Sequence, residues 1–446
     1  MAEPKEMRSP GITYQELLNT DTHEVPEVLR IDNPAPRKME DMTIDRYISK
    51  EFHDLEMEKL WPKVWQFACR EEQIPNIGDH LLYEIGNLSF IIIRNAADEI
   101  KCFVNSCLHR GRQLKQYAGN SHELRCPFHG FSWNISGELK DVPASWDFPQ
   151  IKPDEFSLPE ALVETWAGFV FINPDQSAPP LAEHLGDLPQ HFERWNLKDR
   201  YIQVHVAKEI PANWKIAQEA FCEAFHPNAT HPQTLPYLGD TNSQVDVWET
   251  FSRVITPGGT PSPLLDWEPT EEQMLRHMLD IRDDMEIPWS LEGTTARLSA
   301  AESARERWRP TVGNMVDNWS DAEFIDNIDY TLFPNFHPWG AFNRIVYRFR
   351  PNGNDHRSSI MEVMFLTPFS GERPKPAEMI RLNSNQSWTE VEALGMLAKV
   401  FDQDDFNMGR VQLGLETTQK PGVTLGGYQE SKVRWLNETL DRWLEN

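Results

Sequence analysis

The chain has 446 residues, a formal charge of −26, and 39% hydrophobic and 11% aromatic residues. That negative balance excludes nucleic acid and anionic membrane surfaces as partners. No run of about 18 apolar residues is present, and residues 1–10 hold no apolar signal core, so no membrane partner and a cytoplasmic location are expected.

The length calls for two domains or one large elaborated one. Residues 1–45 are polar, with Pro26, Pro34 and Pro36, and read as an N-terminal arm with one short helix around Tyr14–Leu18. A helix is predicted from Ser49 to Trp61, where Phe52, Leu55, Met57 and Leu60 form an apolar stripe. From Val64 to about Asn173 the pattern turns to short strands: WQFAC, HLLYEI, LSFIIIRN, IKCFVN and the closing GFVFIN, separated by turn signals. This predicts a small all-β domain over 46–175, followed by a Pro-rich linker at 173–180.

The second domain, 176–446, opens with a strand at Tyr201–Glu209 and a helix from Asn213. Residues 264–325 read as a charged helical insertion, with Met274, Leu275, Met278 and Ile281 at helical spacing. It would cover a pocket or make a subunit contact. Strands return at Ile328–Phe333, Phe342–Arg350 and Ile360–Phe369. A helix from Thr389 to Phe401 and an amphipathic C-terminal helix complete an α+β fold.

The β domain carries Cys107-x-His109 and, after a further sixteen residues, Cys126-x-x-His129. Two thiolates on one iron and two imidazoles on the other can hold a [2Fe–2S] cluster. A structural zinc site uses the same ligand types. The order speaks against a zinc finger, because each cysteine is paired with its own histidine. Cys69, Cys102 and Cys222 remain, too few for a disulfide framework.

In the second domain, NWKIAQEAFCEAFHPNATHP covers 213–232. On a continuous helix Glu219, Glu223 and His226 share one face. Pro227 would end that helix just after His226 and let His231 turn back toward it. Two histidines placed in this way need one carboxylate to complete a non-haem Fe(II) site with open positions. Ordinary core or surface histidines are the alternative.

The first segment resembles the Rieske fingerprint C-x-H-x(15–17)-C-x2-H, including the flanking His109-Arg110-Gly111 and Cys126-Pro127-Phe128-His129-Gly130. Together with the downstream histidine pair, the chain resembles the large (alpha) subunit of Rieske non-haem iron aromatic ring-hydroxylating oxygenases over roughly residues 45–446. The resemblance implies a Rieske domain joined to a catalytic domain of helix-grip type, an antiparallel sheet wrapped by helices. It assigns Cys107, His109, Cys126 and His129 to the cluster, and His226, His231 and Asp404 to a mononuclear Fe(II). Asp404 is chosen by counting back from Asn407, with Asp405 and then Asp402 as alternatives. Glu223 falls where the family has its bridging acid, usually Asp, between an iron-site histidine and a cluster histidine of the neighbouring subunit. Ala220 stands where many members have an amide beside the iron.

By the same resemblance the chain is expected to be a terminal oxygenase that hydroxylates or cis-dihydroxylates an apolar aromatic substrate with O2. Monooxygenation or demethylation is the alternative on the same scaffold, and a Rieske electron carrier the alternative of another class. No G-x-G-x-x-G follows a strand, so NAD(P)H enters only through a separate reductase, with or without a ferredoxin. A trimer-based homo-oligomer is implied, with a beta subunit left open. Phe221, Phe225, Leu235, Leu238, Phe333, Phe336, Phe342 and Phe401 are candidate pocket residues.

Overall fold

The computed structural model describes residues 7–35, 39–282, 284–287 and 291–445. Pro36 of the expected arm and residues 283 and 288–290 of the expected insertion lie outside them. The described chain forms two compact units, one of 53–184 with 351–355, the other of 7–52, 185–350 and 356–445. Residues 7–52 therefore belong to the larger unit.

In the smaller unit every predicted strand is present. A seven-stranded sheet runs in the order Gln66–Arg70, Phe169–Asn173, Glu160–Trp166, Glu99–Val104, Leu88–Ala96, Asp79–Ile85 and Gly119–Asn120. The first and last long strands of the unit pair with each other, antiparallel, which closes the domain. A second sheet of three strands, Glu123–Arg125, Ser132–Asn134 and Leu139–Asp141, carries the Cys126–His129 loop in its first hairpin. Ile91, Ile93, Phe103, Leu124 and Trp133 fill the core beneath. Alternate inward residues of pleated strands supply them.

The larger unit is built on eight strands: β1 (Arg200–Ile210), β2 (Gln244–Val247), β3 (Phe251–Thr256), β4 (Asn327–Leu332), β5 (Phe336–Pro338), β6 (Ile345–Asn352), β7 (Asp355–Pro368) and β8 (Ile380–Leu382). They are ordered β2-β3-β4-β5-β6-β7-β1-β8, and β8 runs parallel to β1. The helices are α1 (Trp214–Glu219), α2 (Pro227–Thr230), α3 (Glu271–Leu279), α4 (Ala296–Val312), α5 (Asp321–Ile325), α6 (Leu397–Leu415) and α7 (Ser431–Glu445). The apolar stripe of α7 is buried through Val433, Leu436, Leu440 and Leu444. Residues 7–35 are tied down as well. Thr13 and Glu16 form a capping box on a short helix at Tyr14–Leu17, and the buried Arg253 holds the carbonyls of Val28 and Ile31.

One local expectation is corrected. The helix from Asn213 stops at Glu219 and does not run on to His226. The last turn tightens, with the Phe221 and Cys222 N–H groups donating to the Gln218 and Glu219 carbonyls three residues back, and the Glu223 carboxylate keeps the helix from resuming. Its Oε2 accepts the backbone N–H groups of both Phe225 and His226, which removes those donors from a continuing helix. Pro227 then stands at the first position of a new helix, where its missing N–H costs nothing. Pro227 starts α2 and does not terminate α1. Glu219, Glu223 and His226 therefore share no common helix face.

Candidate metal centres and active-site cavity

In the smaller unit the two Cys–His loops have the same backbone construction. The Cys107 N–H donates to the Arg112 carbonyl at 2.9 Å, and the Gly111 N–H donates back to the Cys107 carbonyl at 2.8 Å. The Cys126 N–H donates to Phe131 at 2.8 Å, and the Gly130 N–H to Cys126 at 3.0 Å. Gly111 and Gly130 have φ of +75° and +85°, a region that glycine enters without penalty. The loops present both cysteines at 2% exposure and leave the histidines nearer the surface. The His109 and His129 rings lie 4.7 Å apart, and His109 stacks on Phe131 at 4.6 Å. Burial pushes the Cys107 thiol up, against the pull of the His109 and Arg110 amides on its sulfur. His109 Nδ1 is buried with no hydrogen-bond partner among the described residues. Two sulfurs and two imidazoles on one pair of matched loops, with amides turned to a sulfur and an orphaned ring nitrogen, fit an iron–sulfur cluster.

The larger unit brings His226, His231 and Asp404 together. One ligand atom from each lies within 4.8 Å of the others. His231 Nε2 is 2.8 Å from Asp404 Oδ1 and His226 Nε2 is 3.6 Å from it. The far ring nitrogens are held from behind. His226 Nδ1–H donates to Glu223 Oε1 at 2.7 Å, and His231 Nδ1–H donates to Gln403 Oε1 at 2.9 Å. Those bonds set the tautomer and turn each Nε2 lone pair inward. Burial works against a charged His226, but Glu223 and Asp404 outweigh it and raise its pKa. Two neutral imidazoles and a carboxylate are a donor set that suits a mononuclear iron.

Each acid of the 402–405 run has its own partner. Asp402 accepts from the Ser387 hydroxyl and the Trp388 N–H, and Asp405 pairs with the buried Lys208. Only Asp404 of the three joins the histidines. Asn407, the counting mark in the sequence, donates to Thr230 Oγ1 at 3.0 Å and so ties α6 to α2 between the two histidines.

Sequence reasoning misses Gln403 and misplaces Glu219. Gln403 has no assigned role in the sequence, although its place beside Asp404 is the available signal. Glu219 was expected on the iron-site face, but it is buried beneath Tyr47 and Asn437. The Tyr47 hydroxyl and Asn437 Nδ2 both donate to its carboxylate, and burial raises its pKa to about 7.

The triad opens on a cavity of about 410 Å³. Of the eight expected lining residues, Phe221, Leu238 and Phe401 line it. Leu235, Phe333, Phe336 and Phe342 are buried elsewhere and Phe225 is exposed. The insertion has the first of its two expected roles: Met278 and Leu279 of α3 and Ala300 and Ala304 of α4 form part of the wall.

A family model described as ring hydroxylating alpha subunit (catalytic domain) matches residues 189–446, and one described as Rieske [2Fe-2S] domain matches residues 64–152. The alpha subunit of biphenyl 2,3-dioxygenase from Rhodococcus jostii is 30% identical over 191 residues, 41% of this chain and 42% of that one. The oxygenase subunit of glycine betaine monooxygenase from Pseudomonas aeruginosa is 27% identical over 205 residues, 45% of this chain and 47% of that one. The matched segments thus span less than half the length of these curated relatives. A solved quaternary ammonium Rieske monooxygenase, studied for carnitine oxidation, shares the fold with a TM-score of 0.64 over 90% of this chain and 95% of that one, at 16% identity. Since the catalytic-domain model covers more than half of the residues, the chain belongs to the ring hydroxylating alpha subunit family, whose two domains imply a Rieske [2Fe–2S] cluster and a mononuclear iron.

Proposed function

We propose that the chain is the terminal oxygenase component of a multicomponent system. The observation that carries this reading is the convergence of His226 Nε2, His231 Nε2 and Asp404 Oδ1 at the edge of a substrate-sized cavity. An electron carrier has no use for an open three-residue site of that kind. In this reading Cys107, His109, Cys126 and His129 hold the cluster, and His226, His231 and Asp404 hold the iron. When bound, the iron supplies O2 activation with electrons that arrive through the cluster.

The protein residues do the positioning. Glu223 and Gln403 fix the ring planes of the two histidines, and Asp405–Lys208 and Asn407–Thr230 fix the helix that carries Asp404. The aromatic wall of Phe221, Tyr347 and Phe401 excludes water and seats a ring-sized body. Glu223 is also assigned the link toward a cluster histidine of a neighbouring copy, which requires a homo-oligomer, with a trimer as the expected form. The electron source is a reductase that uses NAD(P)H, with or without a ferredoxin, and a cytoplasmic setting suits that partner. A beta subunit is left open.

Hydroxylation or cis-dihydroxylation of an aromatic ring is supported by the likeness to the biphenyl enzyme. Insertion of one oxygen atom is the second reading, supported by the likeness to the glycine betaine enzyme. The test is substrate-dependent O2 uptake and product analysis with a surrogate reductase and NADH, across aromatic hydrocarbons, aromatic acids and betaines. Uptake with a stable hydroxylated product supports the reading. Cluster reduction without O2 consumption under any substrate would replace it with the carrier reading.

A further inference from the structure

Besides its two imidazoles, the cavity lining holds four side chains that carry charge: Glu223, Asp329, Asp404 and Arg307. The three acids are already matched. Asp404 faces His226 and His231, where the iron would sit. Glu223 is engaged by the His226 ring and by the backbone N–H groups of Phe225 and His226. Asp329 is buried on the Lys432 ammonium at 2.9 Å. Arg307 makes no side-chain hydrogen bond and no ion pair among the described residues.

The helix explains why. Ala300, Ala304 and Arg307 stand at i, i+4 and i+7 of α4, so one helix face forms the wall and its last member is the cation. Ser303, Ala304, Pro310 and Thr311 lie three and four places from Arg307, and none is acidic. Nearby acids go elsewhere, Glu302 to Arg305 at 3.6 Å and Asp317 to Arg309 at 2.8 Å. Glu306 is adjacent in the chain, and adjacent helix residues do not face each other. The neighbouring charge is a second cation. Burial and then Arg307 lower the pKa of Arg344, so the two guanidiniums stand close enough to disfavour each other. An anion beside Arg307 relieves that repulsion. Arg307 is exposed, so a head group meets its guanidinium without any opening of the fold. Asn327 lines the same cavity, and its side-chain amide is likewise uncommitted among the described residues. It can donate to the same anion.

We propose that Arg307 selects the substrate, pairing with a carboxylate carried on an apolar, ring-sized body that packs against Phe221, Tyr347 and Phe401. A planar guanidinium matches a carboxylate with two parallel N–H donors, which a neutral amide or an ammonium cannot use in the same way. This inference rests on the oxygenase reading for the identity of the site as the substrate cavity.

The test is isothermal titration of the full-length, cluster- and iron-loaded protein under argon with 2-naphthoate, its neutral isostere 2-naphthamide, and 2-naphthylmethylammonium. 2-Naphthoate is expected to bind about tenfold more tightly than either of the others, the size of effect that hydrogen bonds between charged groups supply. The preference should shrink between about 0.01 and 1 M salt, as the screening length falls from about 30 to 3 Å. Arg307→Gln should erase it and leave 2-naphthamide unchanged. Arg307→Glu should reverse it, so that 2-naphthylmethylammonium binds more tightly than 2-naphthoate. That reversal is one a merely structural role for Arg307 would not produce. Equal affinities for 2-naphthoate and 2-naphthamide in the wild type, no binding of either included, would overturn the inference. So would a preference for 2-naphthoate that survives in Arg307→Gln, which would assign the carboxylate to the metal or to another cation. Because nothing turns over, the two readings fail separately. A protein that prefers 2-naphthoate through Arg307 but consumes no O2 contradicts the oxygenase assignment alone, and an active oxygenase without the preference contradicts this inference alone.

Discussion

His231 and Asp404 stand 173 residues apart in the chain, and His231 Nε2 lies 2.8 Å from Asp404 Oδ1. Asp404 is 3% exposed and His231 4%. A buried carboxylate against an imidazole needs a compensating partner, and a cation held between them with His226 provides one.

Gln403 holds that arrangement from behind. Its Oε1 accepts both the His231 Nδ1–H and the Gln233 Nε2–H at 2.9 Å. Gln403→Leu should lower affinity for the mononuclear iron by about 10–100-fold, the usual cost of losing such a partner, with the cluster spectrum unchanged. Iron titration against a competing chelator measures it. An unchanged affinity would show that the His231 ring is oriented by other contacts.

Glu223 has its Oε2 engaged with the backbone N–H groups of Phe225 and His226, and its Oε1 with the His226 ring. Glu223→Gln keeps the shape and removes the charge. Both metal sites should be retained, while cluster reoxidation in a single turnover from pre-reduced protein becomes much slower. Reoxidation at the wild-type rate would remove Glu223 from the electron path. Loss of the mononuclear iron would assign it a ligand or loop-holding role.

Glu219 makes stability depend on pH. Burial raises its folded pKa from the ordinary 4.5 to about 7. A carboxyl raised in this way contributes stability that is fully present below pH 4.5 and lost as pH rises through 7, in all about 3 kcal/mol. Urea denaturation from pH 5 to 8 should show that loss in the wild type. Glu219→Gln, which still accepts from Tyr47 and Asn437, should flatten it. Parallel pH profiles for the two proteins would contradict the assignment.

Asp405 anchors α6 through Lys208, which is 3% exposed. Removing one partner of a buried pair leaves a charge without compensation and costs about 3 kcal/mol. Asp405→Ala should therefore lower the denaturation midpoint clearly. Lys208→Met with Asp405→Leu should recover most of the loss, because an apolar pair carries no desolvation cost. If the double variant were no more stable than Asp405→Ala, the loss would lie in packing and not in the stranded lysine.

Much of this was legible in the sequence because the chemistry is local. The Cys107–His109 and Cys126–His129 spacings define two matched loops by themselves, and strand alternation from Val64 to Asn173 gave the small sheet. The histidine pair and the count from Asn407 to Asp404 brought distant chain together through a resemblance, and the geometry brings the same residues together. The rest depended on competition between groups that sequence spacing does not rank. α1 tightens and ends at Glu219, and Glu223 then captures two backbone amides farther on, so the helical face predicted for Glu219 does not exist. Four of the eight expected pocket residues lie in the core because an apolar side chain fits a core as well as a cavity, and Phe225 is exposed. Gln403 needed the position of His231 across from α6 before it had a role.

The central claim is that one chain holds both a Rieske cluster and a separate iron at His226, His231 and Asp404. The most direct test is iron and acid-labile sulfide per chain in the purified wild type and in Asp404→Ala. The wild type should hold three irons, two in the cluster and one in the open site, with two sulfides, and the variant two irons and two sulfides with its Rieske spectrum intact. Zinc without labile sulfide, or a third iron that stays in Asp404→Ala, would contradict it.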